Sequence, residues 1–222
     1  SQIELRLMAH YSKDQIMLDS FKNNEDIHKR TASEVFSVEM ENVTDEMRRR
    51  AKTINFGLLY GMSAFGLSNQ LSVSRAEAEE FLLNYFAKYS SIKVFMKDVV
   101  EQAKKDKYVS TLYGRKIHVP NIESPNYMLR QASERAAVNG PLQGSAADII
   151  KRAMINIFKE SGGNEKDIKM ILQVHDELVF EVPEDYDEKN ISYLIDLMEE
   201  SSSIDVPLKV EYGFGSNWRE AH

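Results

Sequence analysis

Through residues 2–107, apolar positions recur every three or four residues, the period of a helix with one buried face. "QIELRLMAHYS" is amphipathic, and "EDIHKRTASEVF" puts Ile27, Ala32 and Val35 on a common side. "SRAEAEEFLLNYFAKY" opens on a Ser74 cap, and "SIKVFMKDVVEQAKKDKY" repeats the helical spacing. "YVSTLYGRKIHVP" alternates instead about Tyr113-Gly114, which predicts a short hairpin. After Pro125 a long helix is expected over roughly 126–160, with Pro141 kinking or breaking it.

The final third changes period. "KMILQVHDELVFEVP" reads as two apolar strands flanking a polar His175-Asp176-Glu177 tip, hence a second hairpin. Residues 187–201 are expected to be helical, and "PLKVEYGFG" to form a last strand. Pairing between strands distant in sequence is expected, in an antiparallel sheet. The fold class is therefore α+β, a helical region followed by a smaller mixed one. Internal repeats and low-complexity tracts are missing from the sequence.

One predicted helix carries an unusual surface. In "RRRAKTINFGLLYG", Arg48, Lys52, Phe56 and Tyr60 are spaced four apart. At about 100° per residue each step drifts by only about 40°, so the four share a broad stripe, cationic first and aromatic last. Thr44 is placed to cap this helix, Asp45 and Glu46 favour its positive end, and Gly61 suits its stop. The stripe fits a solvated basic face running into core aromatics. It also fits a surface that holds phosphates with cations and stacks a base on aromatics.

Composition narrows the classes. The 222 residues suffice for one large domain or two small ones, and 42% hydrophobic content provides an ample core. An apolar run of about 18 residues, enough for a membrane helix, is missing, so no membrane partner is expected. With no cysteine, a disulfide framework and cysteine-based zinc or iron–sulfur sites are excluded, which fits a cytoplasmic location. A net charge of −7 argues against nucleic acid until it is divided along the chain. Residues 160–205 hold 14 acidic and 3 basic residues, whereas the remainder holds 21 acidic and 25 basic. A basic footprint outside the acidic segment is therefore possible.

At the second hairpin, Asp176 and Glu177 stand between strands rich in Ile, Leu, Val and Phe. Turns accept aspartate readily, so a solvated tip is one reading. The other is a carboxylate on a rigid support, offered to a hard divalent cation such as Mg²⁺.

Taken together and in order, "SQIELRLMAH", "RRRAKTINFGLLYG" and "QVHDELVFEVP" resemble motifs A, B and C of the DNA polymerase I family, family A. "EDIHKRTASEVF", "ERAAVNGPLQGSAADIIKRAM" and the closing "GSNWREAH" resemble the same family, so the likeness covers essentially the whole chain. It implies a right-hand polymerase fold, with residues 16–118 as fingers and 1–15 and 119–222 as palm. The implied activity is template-directed addition of dNTPs to a primer 3′-hydroxyl by two-metal phosphoryl transfer, in DNA replication and repair. The implied partners are primer–template DNA, dNTP and two Mg²⁺ ions, with the protein a monomer.

The resemblance assigns roles one residue at a time. Arg48 and Lys52 would hold the triphosphate, with Lys52 also stabilising the departing pyrophosphate. Phe56 would lie against sugar and base, and Tyr60 beneath the templating position. Gln2 and His28 would contact the nucleotide, and Glu4 would crowd the 2′ position against ribonucleotides. Arg135, Asn139 and Gln143, four apart on one helix, would face the primer–template, as would His175. Arg115 and Lys116 are candidate backbone contacts. Asp176 would ligate metal, with Glu177 supporting it.

In the family, motif A includes an aspartate two residues before the position of Ser1, and a thumb precedes it. A piece beginning at Ser1 is expected to be inactive alone for want of both. Two rivals remain at this point: a single-subunit RNA polymerase, against which Glu4 argues, and a non-catalytic nucleic-acid-binding module of the same fold.

Overall fold

The computed structural model describes residues 2–160, 168–184, 186 and 189–221. The segment 161–167 and residues 187–188, on which parts of the expected hairpin entry and last long helix fall, lie outside the described residues. The chain divides into two compact units, residues 4–145 and residues 1–3 with 146–222.

In the larger unit the helical period is realised as α1 (Ile3–Ser12), α2 (Gln15–Lys22), α3 (Ile27–Phe36), α4 (Asp45–Leu59), α5 (Ala64–Leu71), α6 (Arg75–Lys88) and α7 (Ser90–Asp106). Several starts are fixed by side chains that satisfy otherwise orphaned N–H groups. Asp14 accepts from Met17, Asp26 from His28 and Lys29, and Thr44 from Met47. Ser74 and Glu77 form a reciprocal capping box at the start of α6. The expected core positions Ile27, Ala32 and Val35 are buried on α3.

The first hairpin pairs β1 (Tyr108–Ser110) with β2 (Lys116–His118), antiparallel, with Val109 opposite Ile117. Val109 joins Ala103 of α7, Val119, Ile122 and Ala137 in a buried cluster, which seats the hairpin on α7 and on α8 (Tyr127–Glu160). Of the kink or break expected at Pro141, the break does not occur: α8 continues through the proline as one helix. Proline removes one N–H from the ladder, but Ala137, Val138, Pro141 and Leu142 are all buried, and their packing outweighs that loss.

In the smaller unit, Ile149, Ile150, Ala153 and Ile157 form the buried face of the second part of α8. The second hairpin pairs β3 (Lys169–Val174) with β4 (Glu177–Glu181), antiparallel, with an irregularity between Met170 and Leu172. Helix α9 (Lys189–Glu199) follows, and α10 (Trp218–Ala221) ends the described chain.

One expectation fails here. Residues 207–215 form no strand, and among the described residues each sheet is a two-stranded hairpin without long-range pairing. The reason is local. The Val210 N–H donates to the Glu199 carboxylate at 2.9 Å instead of to a neighbouring strand. Further on, Gly213 and Gly215 press against the backbone of Ala221 and Glu220, a close approach that a Cβ would obstruct. The α+β class itself stands, as mostly helix with two small antiparallel sheets.

Candidate functional site

The candidate residues are distributed over both units. In the larger unit, α4 presents the stripe as its spacing requires. Arg48, Lys52 and Tyr60 are exposed, Phe56 is half-buried, and Ala51, Ile54, Asn55 and Leu58 form the opposite, buried side. The helix ends at Leu59, and Gly61 follows with φ +64, where the N–H groups of Gly61 and Met62 return to Leu58 and Gly57. A side chain at Gly61 would be strained by that φ and would meet Arg135 Cγ at 2.7 Å. Arg135, on α8, thus lies against the end of α4.

The stripe is braced by α3. Arg48 Nε donates to Asp26 Oδ2 at 2.6 Å, while Asp26 Oδ1 accepts from the N–H groups of His28 and Lys29 at 2.9 and 3.0 Å. Burial pushes the Asp26 carboxyl up, but the Arg48 guanidinium and the two backbone donors outweigh it and hold the group below its ordinary pKa. Lys52 has no ion pair among the described residues.

His28 is buried, with its ring 5.8 Å from that of Phe56 and its Nδ1 3.1 Å from Asn55 Nδ2. Burial is the main force lowering its pKa to about 4; Arg48 and Lys52 push in the same direction and Asp26 opposes them. The ring is therefore neutral near pH 7. Asn55 Nδ2 also donates to Thr31 Oγ1 at 3.0 Å, and Thr31 donates in turn to the Ile27 carbonyl at 2.8 Å and lies 3.4 Å from the Tyr89 hydroxyl. A buried polar chain thus ties α3, α4 and the start of α7 together.

Glu4, half-buried on α1, accepts from the Tyr60 hydroxyl at 3.1 Å. Burial raises the Tyr60 pKa, and the negative charge and hydrogen bond of Glu4 add to the effect. On α8, Arg135 and Gln143 are exposed and Asn139 is half-buried, with its Oδ1 lacking a hydrogen-bond partner among the described residues. Arg115 Nη2 donates to the Gly144 carbonyl at 2.9 Å, and Lys116 Nζ sits 4.3 Å from the Tyr108 ring centre.

In the smaller unit, Gln2 precedes α1 with φ 60 and is half-buried. His175 and Asp176 form the turn between β3 and β4, both exposed, with His175 at φ 52 and its carbonyl accepting from Gln173 at 2.6 Å. Glu177 opens β4 opposite Val174 and is half-buried. Asp176 borders a cavity of about 50 Å³ lined also by Ile149, Ile150, Ala153 and Leu208. Its carboxylate makes no hydrogen bond or ion pair among the described residues. No group of three or more His, Asp or Glu side chains gathers there among the described residues. An uncommitted carboxylate on a rigid turn, with a second beside it, nevertheless fits a hard cation that takes one or two protein oxygens and fills its shell with water and phosphate oxygens.

Neither Asp26 nor Asn55 stands out in the sequence. Asp26 could be found as an acid at a cap position two residues before His28, whereas Asn55 carries no signal until α3 and α4 are seen packed together.

The sequence profile of DNA polymerase family A matches residues 1–220. The chain belongs to DNA polymerase family A. It is 51% identical, over its whole length, to 24% of the DNA polymerase I of Pseudomonas aeruginosa. It is 44% identical to 25% of the DNA polymerase I of Bacillus subtilis. The solved POL domain of Pol1 from M. smegmatis, in complex with DNA primer–template and dNTP, superposes with a TM-score of 0.94 at 44% identity, covering all of this chain and 39% of that one. The chain thus spans about a quarter of the length of the curated relatives it matches. Among the described residues, no helix of this family A chain is long and apolar enough to cross a membrane.

Proposed function

We propose that this chain carries nucleotide-binding, DNA-binding and metal-binding residues of a DNA-directed DNA polymerase, acting in replication and repair. The observation that carries the reading is the α4 stripe, in which exposed cations precede aromatic surface on one helix face. That order suits a triphosphate followed by a base of any identity. The structure similar to this one holds primer–template DNA and dNTP, which supports the same ligand classes here.

In this reading residues 16–118 act as fingers and 1–15 with 119–222 as palm. Arg48 and Lys52 bind the triphosphate, and Lys52 offsets the charge of the departing pyrophosphate. Phe56 packs on sugar and base, and Tyr60 lies beneath the templating position. Glu4, held by Tyr60, disfavours a 2′-hydroxyl. Gln2 and a neutral His28 add hydrogen bonds to the nucleotide. Arg135, Asn139, Gln143 and His175 contact primer–template. In the reaction, a bond forms between the primer 3′ oxygen and the α-phosphorus as the bond to the β-bridging oxygen breaks. The hydroxyl loses its proton and pyrophosphate leaves.

Family A DNA polymerases are generally metal-dependent, and we assign Mg²⁺ here. Asp176, supported by Glu177, would hold it. Bound Mg²⁺ supplies acidification of the 3′-hydroxyl and neutralisation of phosphate charge. The chain's own contribution is an unneutralised carboxylate fixed on a short turn.

The test is primer extension by the full-length protein with dNTPs and with rNTPs. Template-directed dNTP incorporation that Lys52→Ala slows strongly and that discriminates against rNTPs is expected. Binding of primed DNA without extension would instead support a non-catalytic module, and equal use of rNTPs would support an RNA polymerase.

A further inference from the structure

The ion pair between Arg48 and Asp26 has a geometry that an ordinary surface pair does not need. Arginine can meet a phosphate through two parallel N–H groups, which is effective when the guanidinium plane is already fixed. Here Arg48 is gripped by its Nε edge alone, at 2.6 Å, and neither Nη nitrogen makes a hydrogen bond among the described residues. The gripping group is itself held by two backbone N–H groups. Asp26 Oδ1 is used to cap α3 through His28 and Lys29, so only Oδ2 remains for Arg48. A second tie, from Asn55 to His28, holds the same two helices together further along.

We infer that Asp26 is a positioning residue for nucleotide binding, anchoring Arg48 by Nε so that its two Nη groups form a preset edge for the triphosphate. This inference rests on the triphosphate role proposed for Arg48. The alternative for the same contact is competition, in which Asp26 occupies Arg48 until a nucleotide displaces it. Competition would be best served by a carboxylate pairing with both Nη groups, the edge a phosphate would take. The observed pairing uses the other edge, which favours anchoring.

Asparagine and serine cap helices about as well as aspartate but carry no charge, so Asp26→Asn and Asp26→Ser keep the α3 start and remove the anchor. The experiment is a titration of dATP opposite a templating thymine by the full-length protein, resolving apparent Kd from maximal rate. Both variants should raise Kd about tenfold, the size of effect that removing an orienting partner produces. The maximal rate should change by less than about threefold, since the chemical step is untouched. In an Arg48→Ala background, Asp26→Asn should add nothing, because the pair acts as one unit. An unchanged Kd, with Lys52→Ala still raising it, would overturn the inference and leave the triphosphate reading intact. A lowered Kd would overturn it in favour of competition. If Lys52→Ala and Arg48→Ala also leave Kd unchanged, the underlying reading falls, and the inference falls with it.

Discussion

In the larger unit, three of the residues proposed to meet the nucleotide are each held by another side chain. Arg48 is held by Asp26, His28 by Asn55, and the Tyr60 hydroxyl is bound to Glu4. The turn of the smaller unit is built in the opposite way. Asp176 is exposed, and its carboxylate is given no partner among the described residues. Under the proposed roles this contrast follows from charge. An arginine that receives a phosphate gains from an anionic partner on its unused edge, which fixes the side chain without occupying the binding edge. A carboxylate that receives a cation would be weakened by any donor or cation of the protein's own, since that partner must first be displaced.

The contrast is most directly broken at Asp176. In the full-length protein, Asp176→Ala should lower the rate of primer extension by roughly a thousandfold or more, because several kcal/mol of charge stabilisation depend on the metal site. Its thermal midpoint should barely move, since an exposed turn residue contributes little packing. Glu177→Ala should reduce the rate less. Near-normal extension by Asp176→Ala would remove this turn from the site.

Next in size is the stripe itself. Lys52→Ala should slow incorporation by roughly a hundredfold, the loss expected when one preorganised cation is removed from developing charge. Arg49→Ala lies off the stripe and should cost far less, so equal single-turnover rates for the two would show that the helix face has been misassigned.

The brace behind the stripe should register as a pH dependence of stability. The folded His28 has a pKa of about 4, below the ordinary value of 6.5. Between these values the unfolded chain binds a proton that the folded chain does not, so stability falls as pH drops through that window and is fully present above it. The span corresponds to at most about 3 kcal/mol. Denaturant midpoints at pH 7, 5.5 and 4.5 should decline for the native chain more steeply than for His28→Gln. Parallel curves would mean that the ring is not buried neutral. The smallest effect is expected from Thr31→Val, which strips Asn55 of one partner and should cost about 1–2 kcal/mol at neutral pH.

Much of this was legible from spacing. The four-residue stripe, the Ser74 and Thr44 caps, both hairpins and the polar 175–177 tip all depend on patterns within one element. The failures involve interactions between elements. Pro141 reads as a kink or a break, and that the helix continues through it is explained only by the packing of its buried neighbours. "PLKVEYGFG" has strand periodicity, but Glu199 takes the Val210 N–H and Ala221 crowds its glycines, and neither partner is sequence-adjacent. At the site, His28 and Arg48 could be named from their own motifs, but that His28 is buried and neutral could not. That property arises from the packing of α3 on α4 and from the charges of Arg48 and Lys52.

The contact between Asn55 and His28 also determines where the imidazole keeps its proton. An amide nitrogen can donate a hydrogen bond but cannot accept one. Asn55 Nδ2, 3.1 Å from Nδ1, therefore requires Nδ1 to offer its lone pair, and in a neutral ring this leaves the single hydrogen on Nε2. With the Asn55 amide so oriented, His28 is held as the Nε2–H tautomer, in which Nε2 gives a hydrogen bond and cannot take one. Such a ring distinguishes an anionic or carbonyl oxygen from an ammonium or amide N–H without contributing any net charge.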